Sequence, residues 1–206
     1  MSKLDFKILR PTYFKAKPVF TEVRFPTFKY LMIDGRGDPN TSESFKNGVE
    51  ALFGVAYTIK FVYGKANGQD FVVAPLEALW WADDWSDFKS RNKERWYFTL
   101  MIMVPDWVTK KIVAQAVDSL KQKKSNPTMA EPRLDKYSDG KSVQVLHVGS
   151  YDNEGPVLAA LHGEYLPLRG LEPTGKHHEI YLNDFRRTQP ARLKTILRQP
   201  VRKLSH

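Results

Sequence analysis

Two stretches far apart in this chain end a strand-like run at glycine and then repeat one order of elements. Tyr30-Leu31-Met32-Ile33-Asp34-Gly35 and Gln144-Val145-Leu146-His147-Val148-Gly149 occupy matching places. Each leads through a polar turn into an amphipathic helical pattern and then into two further strand-like runs. Residue identity between the halves is low, so the repeat is one of architecture. The expected fold is α+β: duplicated βαββ units with pseudo-twofold symmetry, whose antiparallel sheets form a central ligand groove. Clefts between such units are common ligand sites.

The local signals fill in this plan. Residues 1–24 read as an N-terminal arm, pinned to the body by phenylalanines such as Phe14 and Phe20. The first strand is expected from Phe28 to Ile33, ending in the turn-rich run Asp34 to Asn40, where Gly35 and Gly37 permit unusual backbone angles. Asn40, Thr41 or Ser42 can cap the helix that follows, whose apolar face is Phe45, Val49, Leu52, Phe53, Ala56 and Ile59. Strands are expected over Phe71–Ala82 and Arg95–Val104, and a linking helix over Trp107–Lys121. The first half thus spans 25–124. The second spans 133–202, with strands near Leu134–Tyr137 and Ser142–Val148 joined by a hairpin turn at Asp139-Gly140. A short helix to Tyr165, a loop over Pro167–Lys176, and strands His177–Leu182 and Arg192–Leu197 complete it. The whole 1–206 chain reads as one domain.

Hydrophobic content of 42% supports a real core, and the chain has no cysteine, which excludes disulfides and points to a reducing, cytoplasmic setting. No run has the length of a membrane span or the form of a signal peptide. The formal charge of +9 invites a nucleic-acid partner, but seven Lys or Arg and no acid lie between Arg186 and His206. This reads as a solvated basic end, and no nucleic acid or membrane is expected as a partner. A protein partner is left open. The histidines lack metal-ligand spacing, so no metal or cofactor is expected.

Against that basic background, Gln69 to Asp87 holds five acids and no Lys or Arg, and every tryptophan falls between Trp80 and Trp107. In Pro75-Leu76-Glu77-Ala78-Leu79-Trp80-Trp81-Ala82-Asp83-Asp84-Trp85, indole faces and carboxylates sit together, and both attract flat apolar molecules and cations. The bland alternative is core tryptophan beside a solvated acidic turn. Strand alternation sends Trp80 and Trp81 to opposite faces, one to core and one to a pocket wall, without saying which.

The repeat, the run Val148-Gly149-Ser150-Tyr151, and the late segment Gly175-Lys176-His177-His178-Glu179-Ile180-Tyr181-Leu182 resemble the GyrI-like small-molecule-binding domain. Pro75 to Trp81 is similar to a segment of its longer, stand-alone members. The resemblance covers roughly residues 20–202. It implies a pocket with aromatic walls and a buried glutamate, whose position Glu179 matches. It also implies, through some stand-alone members, hydrolysis of strained cyclopropane rings in DNA-alkylating compounds. Other implied roles are a non-catalytic sensor or drug-sequestering module, and a protein-interaction domain of the gyrase-inhibitor type.

Alternation places His177, Glu179 and Tyr181 on one strand face and His178, Ile180 and Leu182 on the other, with the latter expected against the helices. Glu179 is the candidate base for water, with Tyr97 as a hydrogen-bond donor; a surface strand glutamate is the plain alternative. Glu77, Trp80, Trp81, Trp85, Met101, Tyr151 and Tyr181 are the candidate ligand contacts. The expected ligand is a small aromatic, apolar or cationic molecule.

Overall fold

The computed structural model describes residues 3–84, 90, 92–124 and 129–204. In chain order its main elements are α1 (Phe6–Leu9), β1 (Thr21–Phe25), β2 (Phe28–Arg36), α2 (Glu43–Thr58), β3 (Leu76–Trp81) and β4 (Tyr97–Met103), followed by α3 (Lys110–Lys124), β5 (Arg133–Tyr137), β6 (Gly140–Val148), α4 (Gly155–Ala160), β7 (Leu171–Pro173), β8 (His177–Tyr181) and β9 (Lys194–Lys203). The chain divides into two compact units, one of Met1–Leu9 with Phe28–Tyr137 and one of Arg10–Thr27 with Ser138–His206.

The first unit is an antiparallel sheet in the order β3-β4-β2-β5. Helix α2 starts where the Ser42 hydroxyl accepts the Phe45 N–H at 3.3 Å. Its buried residues Val49, Leu52, Val55 and Ala56 recur at helical spacing, which is why this face seals the sheet. At Gly35 a Cβ would stand 2.2 Å from Cζ of Phe98, so the ring packs directly on backbone. That role is steric, whereas positive φ falls at Gly37 (111°), where the turn begins. Gly35→Ala is therefore expected to cost about 1–3 kcal/mol, because the fully buried Phe98 has nowhere to move. A urea unfolding midpoint unchanged from the parent chain would refute this. After Thr58 the helix widens into a π-helical turn, Ile59–Gly64. There the nearly buried Lys60 bonds both Asp70 and the Phe71 carbonyl.

The second unit repeats the order as β1-β6-β9-β8, with β7 also on β9. Helix α4 continues through its own π-helical turn, Leu161–Tyr165. Leu161 and Leu166 pack with Val143, Leu171 and Val201. Each unit thus holds a βαββ core flanked by one strand from elsewhere in the chain: β5 beside β2, and β1 beside β6.

Several local expectations change. Arg133–Tyr137 does not form a hairpin with the next strand; it pairs with β2, and Ser138-Asp139 carries the chain onward to β6. The arm is structured, since β1 pairs with β6 and Leu4 bridges Phe71. Phe71 itself lies outside β3, which is confined to Leu76–Trp81. The basic end contains strand β9, and Arg198 within it is fully buried, so this run is not simply a solvated end. Of the other cations, Arg186 pairs with Asp184 and Arg202 with Glu172. Among the described residues no helix is long and apolar enough to cross a membrane.

Candidate functional site

Strand β8 brings three sequence-selected positions together in the second unit. The Tyr181 hydroxyl donates to Oε2 of Glu179 at 2.7 Å, and His177 Nε2 lies 3.7 Å from Oε1. Burial pulls the His177 imidazole down to about 3, so it is neutral near pH 7 and the contact is not an ion pair. Glu179 is 8% exposed. The Tyr151 ring meets that of Tyr181 edge-on, with centroids 5.4 Å apart. Burial, then the charges of Glu154, Glu179 and Asp184, push the Tyr151 phenol well above its ordinary value. Tyr151 therefore stays protonated and can donate a hydrogen bond. Such a cluster of carboxylates and tyrosines can hold a cation, polarise a bound carbonyl, or take a proton from water.

The face on which this cluster lies differs from expectation. Glu179 pairs with Leu197, which pairs with Val145; Val143, on the same face as Val145, belongs to the cluster with Leu161 and Leu166. Glu179 and Tyr181 therefore share the α4 side of their sheet. The opposite face carries His178, Arg198 and Gln144, against residues of the 10–27 segment. Alternation separated the two sets correctly, but the helix covers the one holding the glutamate. Alternation sets His177 on the face of Glu179 and Tyr181 but gives it no role, and the sequence does not single out Glu154 or Asp184. Glu154 lies one helical turn beyond Tyr151, a spacing that i,i+3 neighbours on a turn would have suggested.

In the first unit Trp80 lies on the α2 side, stacked on Phe45 at 5.9 Å and edge-on to Trp96 and Phe98. Trp81 is on the other face, stacked on Tyr97 with centroids 5.6 Å apart and planes 16° from parallel. The Arg36 guanidinium lies 5.0 Å from the same Tyr97 ring, and the Tyr97 hydroxyl donates to Asp83 at 2.9 Å. Along that face, Glu77 pairs with Met101 and Leu79 with Thr99. Glu77 and Met101 are fully buried. Thr99 and Arg133 both donate to Asp34. Trp85 lies outside the described residues. A groove between α3 and β5, lined by Lys29, Val113, Val117 and Arg133 among others, contains none of the selected residues. Among the described residues no group of His, Asp and Glu is arranged to hold a metal ion.

Residues 19–202 match the model of the GyrI-like small molecule binding domain. Among solved structures, the fold superimposes on an uncharacterized conserved protein from Listeria innocua with a TM-score of 0.88 at 35% identity, over 97% of this chain and 100% of that one. It also superimposes on a hydrolase from the same organism with a TM-score of 0.83 at 34% identity, over 97% and 100% of the two chains. A further Listeria innocua hydrolase gives 0.86 at 33% identity, over 98% and 100%. No curated protein matches the chain.

Proposed function

Since the chain belongs to the GyrI-like small molecule binding domain family, we propose that it binds small aromatic, apolar or cationic molecules and adds water to strained-ring electrophiles among them. The observation that carries this is the hydrogen bond from Tyr181 to the buried Glu179, beside a neutral imidazole. Glu179 takes a proton from water as the water oxygen attacks the ring carbon. The strained C–C bond breaks, its electron pair passes to the substrate's conjugated carbonyl, and that oxygen or its enol carbon recovers the proton. One water is added in all. Tyr151, held protonated, is the proposed donor to the carbonyl, the task first considered for Tyr97.

The rival reading is binding without turnover, as a sensor or sequestering module, and the low exposure of Glu179 favours it. Incubating a molar excess of a cyclopropane-containing alkylating compound with a catalytic amount of protein separates the two. Mass spectrometry is expected to show several equivalents of product, each heavier by one water. Quenching of tryptophan fluorescence without product would replace hydrolysis by sequestration. Neither signal would remove both readings for that ligand class.

A further inference from the structure

Strand β9 runs past Glu179 and Tyr181 carrying one polar side chain that the proposed hydrolysis does not yet use. Thr195 pairs with Tyr181 on one side and with His147 on the other. Directly paired residues of neighbouring strands share a sheet face. Tyr181, Thr195 and His147 therefore form a row across three strands, on the face that holds Glu179. Both ends of the row are bonded. The Tyr181 hydroxyl donates to Glu179, and the His147 ring donates from Nε2 to the Ser150 carbonyl at 3.0 Å. The middle of the row is not: Thr195 is fully buried, and its Oγ1 has no hydrogen-bond partner among the described residues.

A buried hydroxyl left unpaired costs about 1–3 kcal/mol, and buried polar groups are bonded as a rule. Valine would fill the same strand position with nearly the same shape and without that cost. The position of Thr195 shows what its hydroxyl can serve. Glu179 pairs with Leu197, so it is the diagonal neighbour of Thr195 on the shared face. Diagonal neighbours stand about 7 Å apart, too far for the short threonine side chain to reach a carboxylate directly. One water, with a hydrogen bond of about 2.8 Å to each side, fits that span.

We propose that Thr195 and Glu179 together seat one water molecule, and that this is the water Glu179 deprotonates; the second clause rests on the hydrolytic reading of the site. A buried water takes two to four hydrogen bonds, and these two residues supply the minimum. Glu179 accepts one O–H and Thr195 Oγ1 accepts the other, which turns the lone pairs of the water towards the electrophilic carbon. In the reaction the first proton passes to Glu179, while Thr195 keeps its own proton throughout. Its task is to fix the direction of attack.

A crystal structure of the full ligand-free chain, at a resolution that shows waters, should place one water within about 3.2 Å of both Thr195 Oγ1 and a Glu179 carboxylate oxygen. Thr195→Val should empty that position. With the cyclopropane-containing compound as substrate, the same variant should lose about tenfold or more in kcat while KM stays within about twofold. Thr195→Ser, which returns a hydroxyl, should recover most of the loss. Circular dichroism and melting show whether each variant is folded, and the parent crystal structure decides the matter if Thr195→Val is not. A Thr195 hydroxyl bonded only to protein atoms overturns the seat, and so does a folded Thr195→Val chain with parental kcat, even when the parent forms product. A water at the seat in a parent chain that forms no product supports the seat and overturns the hydrolytic reading alone.

Discussion

Replacing Arg198 by methionine is expected to lower the unfolding free energy by about 3–5 kcal/mol, since it leaves a buried carboxylate without its cation. Arg198 and His178 are fully buried and share Asp139. The guanidinium donates to Asp139 Oδ2 at 2.8 Å, to Gln144 Oε1 at 2.8 Å and to the Tyr13 carbonyl at 2.8 Å. Its carbon lies 4.3 Å from the Tyr13 ring centre and 4.2 Å from that of Phe25. One side chain on β9 thus ties the 10–27 segment to the strands it covers. Against the upward push of burial, the charges and hydrogen bonds of His178 and Arg198 hold the Asp139 carboxyl far below its usual range. The folded value is depressed, so the unfolded chain binds the extra proton in acid. This stability is fully present above the unfolded value of about 3.9 and is lost as pH falls below it. Asp139→Asn should flatten that part of the acid unfolding curve. Arg198→Met with Asp139→Leu should recover much of what Arg198→Met loses, because apolar replacement of a whole buried pair is often neutral. Equilibrium urea unfolding across pH gives all these quantities, and a loss under about 1 kcal/mol for Arg198→Met would mean the cluster is not desolvated as the geometry requires.

What the sequence revealed and what it hid follow from the range of the signals. Helix α2 was legible because the apolar period, the cap at Ser42 and the turn before it are local and agree. The βαββ order of both units was legible for the same reason. The partners of β1 and β5 were not, because pairing between distant strands leaves no mark on either strand's own pattern. Asp139-Gly140 has the form of a hairpin turn, and Gly140 does adopt φ 58°, yet the flanking strands pair elsewhere. The basic run from Arg186 was read as solvated because charge count carries no information about burial. The carboxylate of Asp139, the amide oxygen of Gln144, and the carbonyl and ring of Tyr13 with the ring of Phe25, all remote in sequence, make an internal Arg198 tolerable.

At the candidate site, alternation along β8 correctly set Glu179 beside Tyr181, since a two-residue period needs no tertiary information. Which face the helix would cover was not local. Ile180 and Leu182 looked more suited to packing than Glu179 and Tyr181, yet the polar pair lies on the α4 side. The tryptophan ambiguity was of the same kind. Trp80 and Trp81 had to point apart, but only the position of Phe45 on α2 shows which one is core.

Glu179→Gln is expected to reduce turnover of a strained-ring substrate by about two to four decades, the usual contribution of a positioned base. That corresponds to about 3–5 kcal/mol of barrier. The substitution is chosen because glutamine keeps the shape and still accepts the Tyr181 hydrogen bond through its amide oxygen, so fold and ligand affinity should persist. What it removes is the ability to take a proton from water. Tyr181→Phe tests the other side of the contact. It keeps the ring against Tyr151 and deletes the hydroxyl, so the carboxylate survives with less restraint on its position. A loss in kcat of about tenfold with little change in KM is expected for a positioning residue, against the larger loss for the base itself. Tryptophan fluorescence titration of each variant with the same compound separates binding from chemistry. If Glu179→Gln binds normally and turns over normally, the proton goes elsewhere and Glu179 is a packed structural carboxylate. If it binds poorly and turnover falls only in proportion, Glu179 recognises the ligand and does not act on water.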